Sequence, residues 1–334
     1  MKQVMQRGEM STNSDRTRNP RSSTGFARLE ISNDTVSTNS KYILFGVASD
    51  VGGTYPGQSM NGPNLIRAAS KSLCWRDGNP SSVFTMSREY SQIFENNRVV
   101  DIGNIHLTSN TSSSAVEELY CRLKELPSNA VRVMLGGDHS LTYANVADTY
   151  ERRNKGFKYI HIDSHLDTQL KGDYSNGKPT KLQEINHSNF VSHLSYNIPS
   201  IEFLHLGIDH FQCTELGNIY DVKRYLGEMG TQVSSFDLMV NGCKVLDELL
   251  IEGEDIYLSI DVDSINACYI SCTPMPSVSG IDLHLLVKIV SYIKSKANII
   301  GFDIMEFGCP RNAVDSKTKN EATLISQLIS FILE

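Results

Sequence analysis

No uninterrupted apolar run in this 334-residue sequence approaches the ~18 residues that a membrane-crossing helix needs, so the reading excludes a membrane-spanning helix. Cys-x-x-Cys pairs are also missing, and the seven cysteines are an odd number scattered from Cys74 to Cys309. Cys268 and Cys272 stand four apart, but a structural zinc site needs two further close ligands. The pattern therefore reads as reduced thiols in a cytoplasmic protein, neither a disulfide framework nor a zinc module. Basic runs interleaved with aromatics are absent as well. With a formal charge of −7 and a pI near 5.7, the chain offers no surface for nucleic acid.

A hydrophobic content of 40% is enough to fill a sizeable core, and α/β folds of this length often form one unit. Residues 1–40 are rich in Ser, Thr, Asn and Arg and lack apolar periodicity, which predicts a flexible N-terminal tail ahead of a single domain at 41–334. From Lys41 onward, strands expected at 41–47, 130–135, 157–162, 201–207, 255–260 and 297–304 alternate with helical stretches at 63–75, 112–125, 140–153, 238–251, 281–294 and 319–333. That alternation predicts a three-layer α/β/α fold with a central, mostly parallel sheet.

Three polar clusters sit where such strands end. Asp163-Ser164-His165-Leu166-Asp167 follows the apolar run Phe157 to Ile162, and Asp261-Val262-Asp263 follows Ile256 to Ile260. Residues two apart on a strand share a face, so each cluster converges. The third, Gly136-Gly137-Asp138-His139-Ser140, is a glycine turn that can present His139 at the end of the run Ala130 to Leu135. Singly, each could be a helix cap, an acidic surface turn or a satisfied core histidine. Together they crowd carboxylates at the carboxyl ends of parallel strands, where such folds bind ligands. Like charges in low dielectric repel unless a cation lies between them. Four carboxylates and two imidazoles suit a pair of divalent ions such as Mn²⁺ better than a thiolate zinc site.

These three motifs resemble the signature of the ureohydrolase superfamily, the arginase and agmatinase group. The resemblance extends to Gly46-Val47-Ala48-Ser49-Asp50, Gly62-Pro63-Asn64-Leu65-Ile66-Arg67, Val100-Asp101-Ile102-Gly103-Asn104, Gly301-Phe302-Asp303-Ile304-Met305-Glu306 and the closing stretch from Ala322 to Leu333. It implies an arginase-like fold and two Mn²⁺ per chain, with His139, Asp163, His165, Asp167, Asp261 and Asp263 as ligands. It further implies Asp167, His187 and Glu306 as catalytic residues. Glu306 would pair with the substrate guanidinium and His187 would shuttle a proton, with His193 a substitute for His187. A homo-oligomer, trimer or hexamer, is implied too.

The chemistry expected from such a centre is hydrolysis of a C–N bond in a linear amidine. Two ions about 3.5 to 4 Å apart can lower the pKa of a bridging water towards neutrality. The resulting hydroxide can attack the carbon of a guanidino group, and a nearby imidazole can protonate the departing amine to leave urea. Four aspartates and a hydroxide outweigh two dications, so the field favours a cationic substrate: a small guanidino compound, as in agmatinase-like or arginase-like enzymes, or an arginine-containing peptide. Two alternatives stay open. One is a formiminoglutamate hydrolase releasing formamide, which a basic residue beside the pocket would favour. The other is a catalytically silent metal-binding interaction protein, suggested by the departure from the family pattern at Ser264-Ile265-Asn266-Ala267 and Ser271-Cys272-Thr273-Pro274-Met275-Pro276. The segment from Asn266 to Ser279 and the loop from Thr168 to Ile185 are expected to read the substrate.

Overall fold

Each of the six expected strands forms within two residues of its expected ends. A computed structural model describes residues 24–31, 40–55, 57–74, 83–84, 90–91, 93–94, 98–127, 129–169, 174–175, 178–179, 184–209, 230–310 and 313–334. The strands of its main sheet are β1 (Tyr42–Gly46), β2 (Val99–Asn104), β3 (Val131–Leu135), β4 (Lys158–Ile162), β5 (Glu202–Ile208), β6 (Thr231–Ser234), β7 (Asp255–Asp261) and β8 (Asn298–Met305). They pair in the order β2-β1-β3-β8-β7-β4-β5-β6, and every pairing is parallel. Two antiparallel pairs of two residues each stand apart, at Val83–Phe84 with Tyr90–Ser91 and at Tyr174–Ser175 with Lys178–Pro179.

A parallel sheet buries both faces, which is why its central strands read as continuous apolar runs. One face packs Leu44, Leu135, Leu206, Leu258 and Phe302 against helices α1 (Gly62–Ser70), α5 (Ser235–Asn241), α6 (Leu283–Lys296) and α7 (Ser316–Leu333). The opposite face packs Phe45, Met134, Tyr159, Phe203 and Tyr257 against α2 (Ser112–Lys124), α3 (Thr142–Arg153) and α4 (Phe190–Asn197). The result is the three-layer α/β/α arrangement. Between β3 and β4 the sheet inserts β8 and β7; chain leaving β3 and β4 passes to α3 and α4 on one face, chain leaving β8 and β7 to α7 and α6 on the other, and these switch points open a crevice above the carboxyl ends of the four strands.

The N-terminal stretch departs from expectation. Residues 1–23 and 32–39 lie outside the described residues, but Thr24–Ile31 is packed onto the domain and is no solvated tail. Phe26 is fully buried, its ring 5.9 Å from that of Phe94, and its N–H donates to Asp101 Oδ2 at 2.7 Å. Ala27 N–H donates to Ser70 Oγ at 2.8 Å, and Ile31 bridges in parallel to Asp101. The same Asp101 takes two bonds from the buried Arg67 guanidinium, at 2.8 and 2.9 Å. An aromatic anchor and a shared carboxylate thus tie this segment to α1 and β2.

Candidate metal centre

The turn after β3 sets His139. A side chain at Gly137 would bring its Cβ to 1.6 Å from the Ser49 carbonyl oxygen, and one at Gly136 to 2.0 Å from Met305 Sδ. The glycines let the turn pass beneath the loop after β1 and deliver His139, fully buried, into the crevice. Asp261 is the last residue of β7 and Asp163 directly follows β4. Asp263 follows in a short 3-10 turn, its N–H donating to Asp261 Oδ1 at 2.8 Å.

These side chains meet. His139 Nδ1 stands 3.1 Å from Asp163 Oδ2, 3.3 Å from Asp167 Oδ2 and 3.1 Å from Asp261 Oδ2. His165 Nδ1 lies 3.1 Å from Asp263 Oδ2 and 3.5 Å from Asp163 Oδ1. Ligating atoms of His139, His161, Asp163 and Asp167 all lie within 4.8 Å of one another, as do those of Asp163, His165 and Asp263. Asp163 is common to both groups. Asp167 and Glu306 both adopt left-handed backbone, at φ 53° and 61°, a conformation that costs a non-glycine residue energy and concentrates at functional positions.

The electrostatics are those of a cation site. Burial, then the neighbouring Asp263 and Asp163 carboxylates, push the Asp261 carboxyl well above its usual range. Burial and Asp163 push Asp167 up to about 8. Against the pull of burial, the imidazoles of His161, His139 and His165 hold Asp163 well below the usual value. Asp163 Oδ2 is buried with His139 Nδ1 3.1 Å and His161 Nε2 2.9 Å away, yet no donor is aligned to make a hydrogen bond to it. An orphaned carboxylate oxygen among four aspartates is costly unless an ion completes it, so oxygen donors with two or three imidazoles fit a pair of hard-to-intermediate divalent cations.

Glu306 follows β8 and lies beside this cluster. Its Oε1 accepts from the His139 N–H at 2.8 Å and stands 3.7 Å from His187 Nδ1. Burial, then Asp261 and Asp138, drive its carboxyl well above the usual range. His187 Nε2 contacts Thr54 Oγ1 at 2.7 Å, and its backbone N–H donates to the Gly52 carbonyl at 3.1 Å. Burial and the facing His139 and His165 push its imidazole down to about 4. His193 goes elsewhere: it is buried against Tyr143 of α3, with ring centroids 6.5 Å apart.

Residues 40–331 match the model of the arginase family. The chain belongs to the arginase family. Among curated relatives, it is 26% identical to N(1)-aminopropylagmatine ureohydrolase of Thermococcus kodakarensis, covering 80% of this chain and 82% of that protein. It is 24% identical to formimidoylglutamase of Streptococcus gordonii, covering 79% and 75%. The fold is shared with proclavaminate amidino hydrolase from Streptomyces clavuligerus, at a TM-score of 0.72 and 21% identity over 93% of this chain and 97% of that one. Relatives that differ in substrate leave the subfamily of this arginase-family chain open.

Several residues of the centre were not singled out from the sequence. His161 sits two before Asp163 on β4, so the period of two that groups Asp163, His165 and Asp167 extends to it; its Nε2 is 2.9 Å from Asp163 Oδ2. Ser259 lies 2.9 Å from His139 Nε2 and donates to Asp303 Oδ1 at 2.5 Å. No local signal marks that pair, because Ser259 and Asp303 are brought side by side by the register of β7 with β8. Thr54 comes from the loop after β1. The altered stretch after Asp263 is pinned from both sides. Ser277 and Ser279 hydroxyls donate to Asp209 Oδ2 at 2.7 and 2.6 Å, and the Cys272 N–H donates to Glu321 Oε2 of α7 at 2.9 Å. Most of the loop between Gln169 and Glu184 lies outside the described residues. Among the described residues no helix is long and apolar enough to cross a membrane.

Proposed function

We propose that this arginase-family protein is a manganese-dependent hydrolase that cleaves a guanidino group to urea and an amine. The observation that carries the reading is the buried convergence of His139, Asp163, His165, Asp167, Asp261 and Asp263, with Asp163 Oδ2 between two imidazoles and receiving no aligned hydrogen bond. His139, Asp163, Asp167 and Asp261 would hold one ion, and His165, Asp163 and Asp263 the other. Bound there, the pair supplies Lewis acidity and makes hydroxide available near neutral pH.

The chain's own groups do the rest. Glu306, fixed by the His139 N–H and by its left-handed backbone, accepts guanidinium N–H groups and orients the planar cation over the cluster. A bound cation opposes the burial that raises its carboxyl, so substrate binding and Glu306 ionisation assist each other. His187, neutral near pH 7, faces Glu306 through Nδ1 while Thr54 contacts Nε2, which places Nδ1 to take up a proton released in the attack by water and return it to a nitrogen leaving from a group seated at Glu306. Asp167, strained into position, acts as ligand and catalytic carboxylate together. Cytoplasmic location and assembly into a trimer or hexamer complete the proposal.

The test is urea release by the Mn²⁺-loaded protein across arginine, agmatine, guanidino acids and arginine-containing peptides, with formiminoglutamate assayed for formamide. Urea from one compound and no formamide is the expected result. Asp163→Ala should lose both bound metal and turnover, and full hydrolysis by that variant would overturn the assignment.

A further inference from the structure

The two ends of the carboxylate cluster are built alike, with one difference. Asp261 turns Oδ2 to His139 Nδ1 at 3.1 Å, while its Oδ1 accepts the backbone N–H of Asp263 at 2.8 Å. Asp263 turns Oδ2 to His165 Nδ1, also at 3.1 Å, but its Oδ1 accepts the Ser164 hydroxyl at 2.7 Å, with the Ser164 N–H farther off at 3.4 Å. A backbone donor is present whatever the sequence, whereas a hydroxyl depends on the residue. Ser164 is fully buried and its backbone is clamped to β5 on both sides. The Asp163 N–H donates to the Leu206 carbonyl at 3.0 Å, and the Asp209 N–H donates to the Ser164 carbonyl at 2.9 Å. A hydroxyl has one proton to give. Donated to Asp263, it leaves His165 Nδ1, 3.3 Å from the same oxygen, to face the cluster unaided.

We propose that Ser164 is a positioning residue that holds Asp263 to ligation through Oδ2 alone, keeping one place on the ion beside His165 for an oxygen or nitrogen atom of water or substrate. The inference rests on the two-ion reading above. A carboxylate with both oxygens free can chelate a cation, whereas one whose Oδ1 takes a short bond from a rigid donor presents Oδ2 only. From the chain, the ion beside His165 then receives His165, Asp163 and a single oxygen of Asp263. That is fewer donors than His139, Asp163, Asp167 and Asp261 give its neighbour. Without the hydroxyl, Asp263 is free to turn both oxygens to the ion and fill the open place. Its removal leaves metal binding at least as strong and weakens turnover, a different outcome from loss of structural support, which weakens both.

The experiment titrates the metal-free full chain with Mn²⁺ by calorimetry and with Co²⁺ by visible spectroscopy, since Co²⁺ d–d bands weaken as the coordination number rises. Wild type is compared with Ser164→Ala, Ser164→Thr and Ser164→Val. The last two substitutions share a shape and differ by the hydroxyl, so they separate the hydrogen bond from packing. The expected result is weaker Co²⁺ bands for Ser164→Ala and Ser164→Val than for wild type and Ser164→Thr, with the affinity for the second Mn²⁺ equal or higher. Urea release by the Mn²⁺-loaded protein should fall about 10-fold in kcat in the same two variants. Bands alike in Ser164→Thr and Ser164→Val, or loss of the second ion from Ser164→Ala and Ser164→Val, overturn the inference while the two-ion reading stands. A wild type that binds fewer than two ions overturns that reading and this inference with it.

Discussion

Ser259 Oγ gives its proton to Asp303 Oδ1 at 2.5 Å and stands 2.9 Å from His139 Nε2, so the imidazole donates from Nε2 and would offer Nδ1, which faces the carboxylate cluster, to a bound ion in place of its proton. Ser259→Ala removes that acceptor and leaves a buried N–H unpaired. The expected outcome is a fall of about 10- to 100-fold in affinity for Mn²⁺, measured by calorimetric titration of the metal-free protein. A second substitution, Glu306→Gln, keeps the size of the side chain and discards its charge. Losing a charge-assisted contact to the guanidinium should lower kcat/KM about 10- to 100-fold while leaving two metals bound, as counted by elemental analysis. Loss of metal in that variant would show Glu306 to be part of the ion site.

Among elements, the segment Thr24–Ile31 offers the sharpest test. Phe26→Ala should cost about 3 to 5 kcal/mol, the usual range for emptying a fully buried aromatic site, and lower the Tm in a calorimetric scan. An unchanged Tm would return this stretch to the mobile tail that its composition suggests. Short apolar words in polar surroundings carry too little periodicity to be read, and the anchor is one aromatic plus a carboxylate shared with Arg67. The same limit explains the edge strands. β2 carries the buried Asp101 and β6 has only four residues, so neither resembles a core strand until its partner is in place. Helix α4, eight residues with two serines and a histidine, shows little helical stripe. The helix expected at 238–251 instead spans Ser235–Asn241 and breaks at Gly242, whose φ of 59° ends the α-helical run before a 3-10 turn. Central strands and both long C-terminal helices were legible because burial on two faces, or one wide stripe, writes itself continuously into sequence. The strand-end motifs were legible because aspartates at a spacing of two have no role in an apolar core.

At the scale of the whole molecule, the parallel sheet gathers its acidic residues at one end, and this sets how stability depends on pH when metal is absent. Asp167 is pushed up to about 8, Asp261 and Glu306 lie well above their usual range, and the carboxylates around His139 raise it well above 6.5 against the opposing effect of burial. In each case the folded protein holds a proton that the unfolded chain has already released, so stability falls as pH rises through that interval. His187 acts in the opposite sense: with a folded value of about 4 against 6.5 unfolded, it adds stability as pH rises between them and nothing above. His161, also lowered from 6.5, behaves the same way. Asp163, held below the usual carboxylate value, matters only in acid. Above 6.5 the raised groups all act in one direction. The metal-free protein should therefore lose Tm between pH 6.5 and 8, each retained proton contributing about 1.4 kcal/mol per pH unit at most. Bound cations replace those protons, and because they prefer deprotonated ligands, the Mn²⁺-loaded protein should hold or gain Tm over the same interval. Paired calorimetric scans with and without a chelator measure the difference. A metal-free Tm that climbs from pH 6.5 to 8 would mean that the carboxylates are not forced together without their ions.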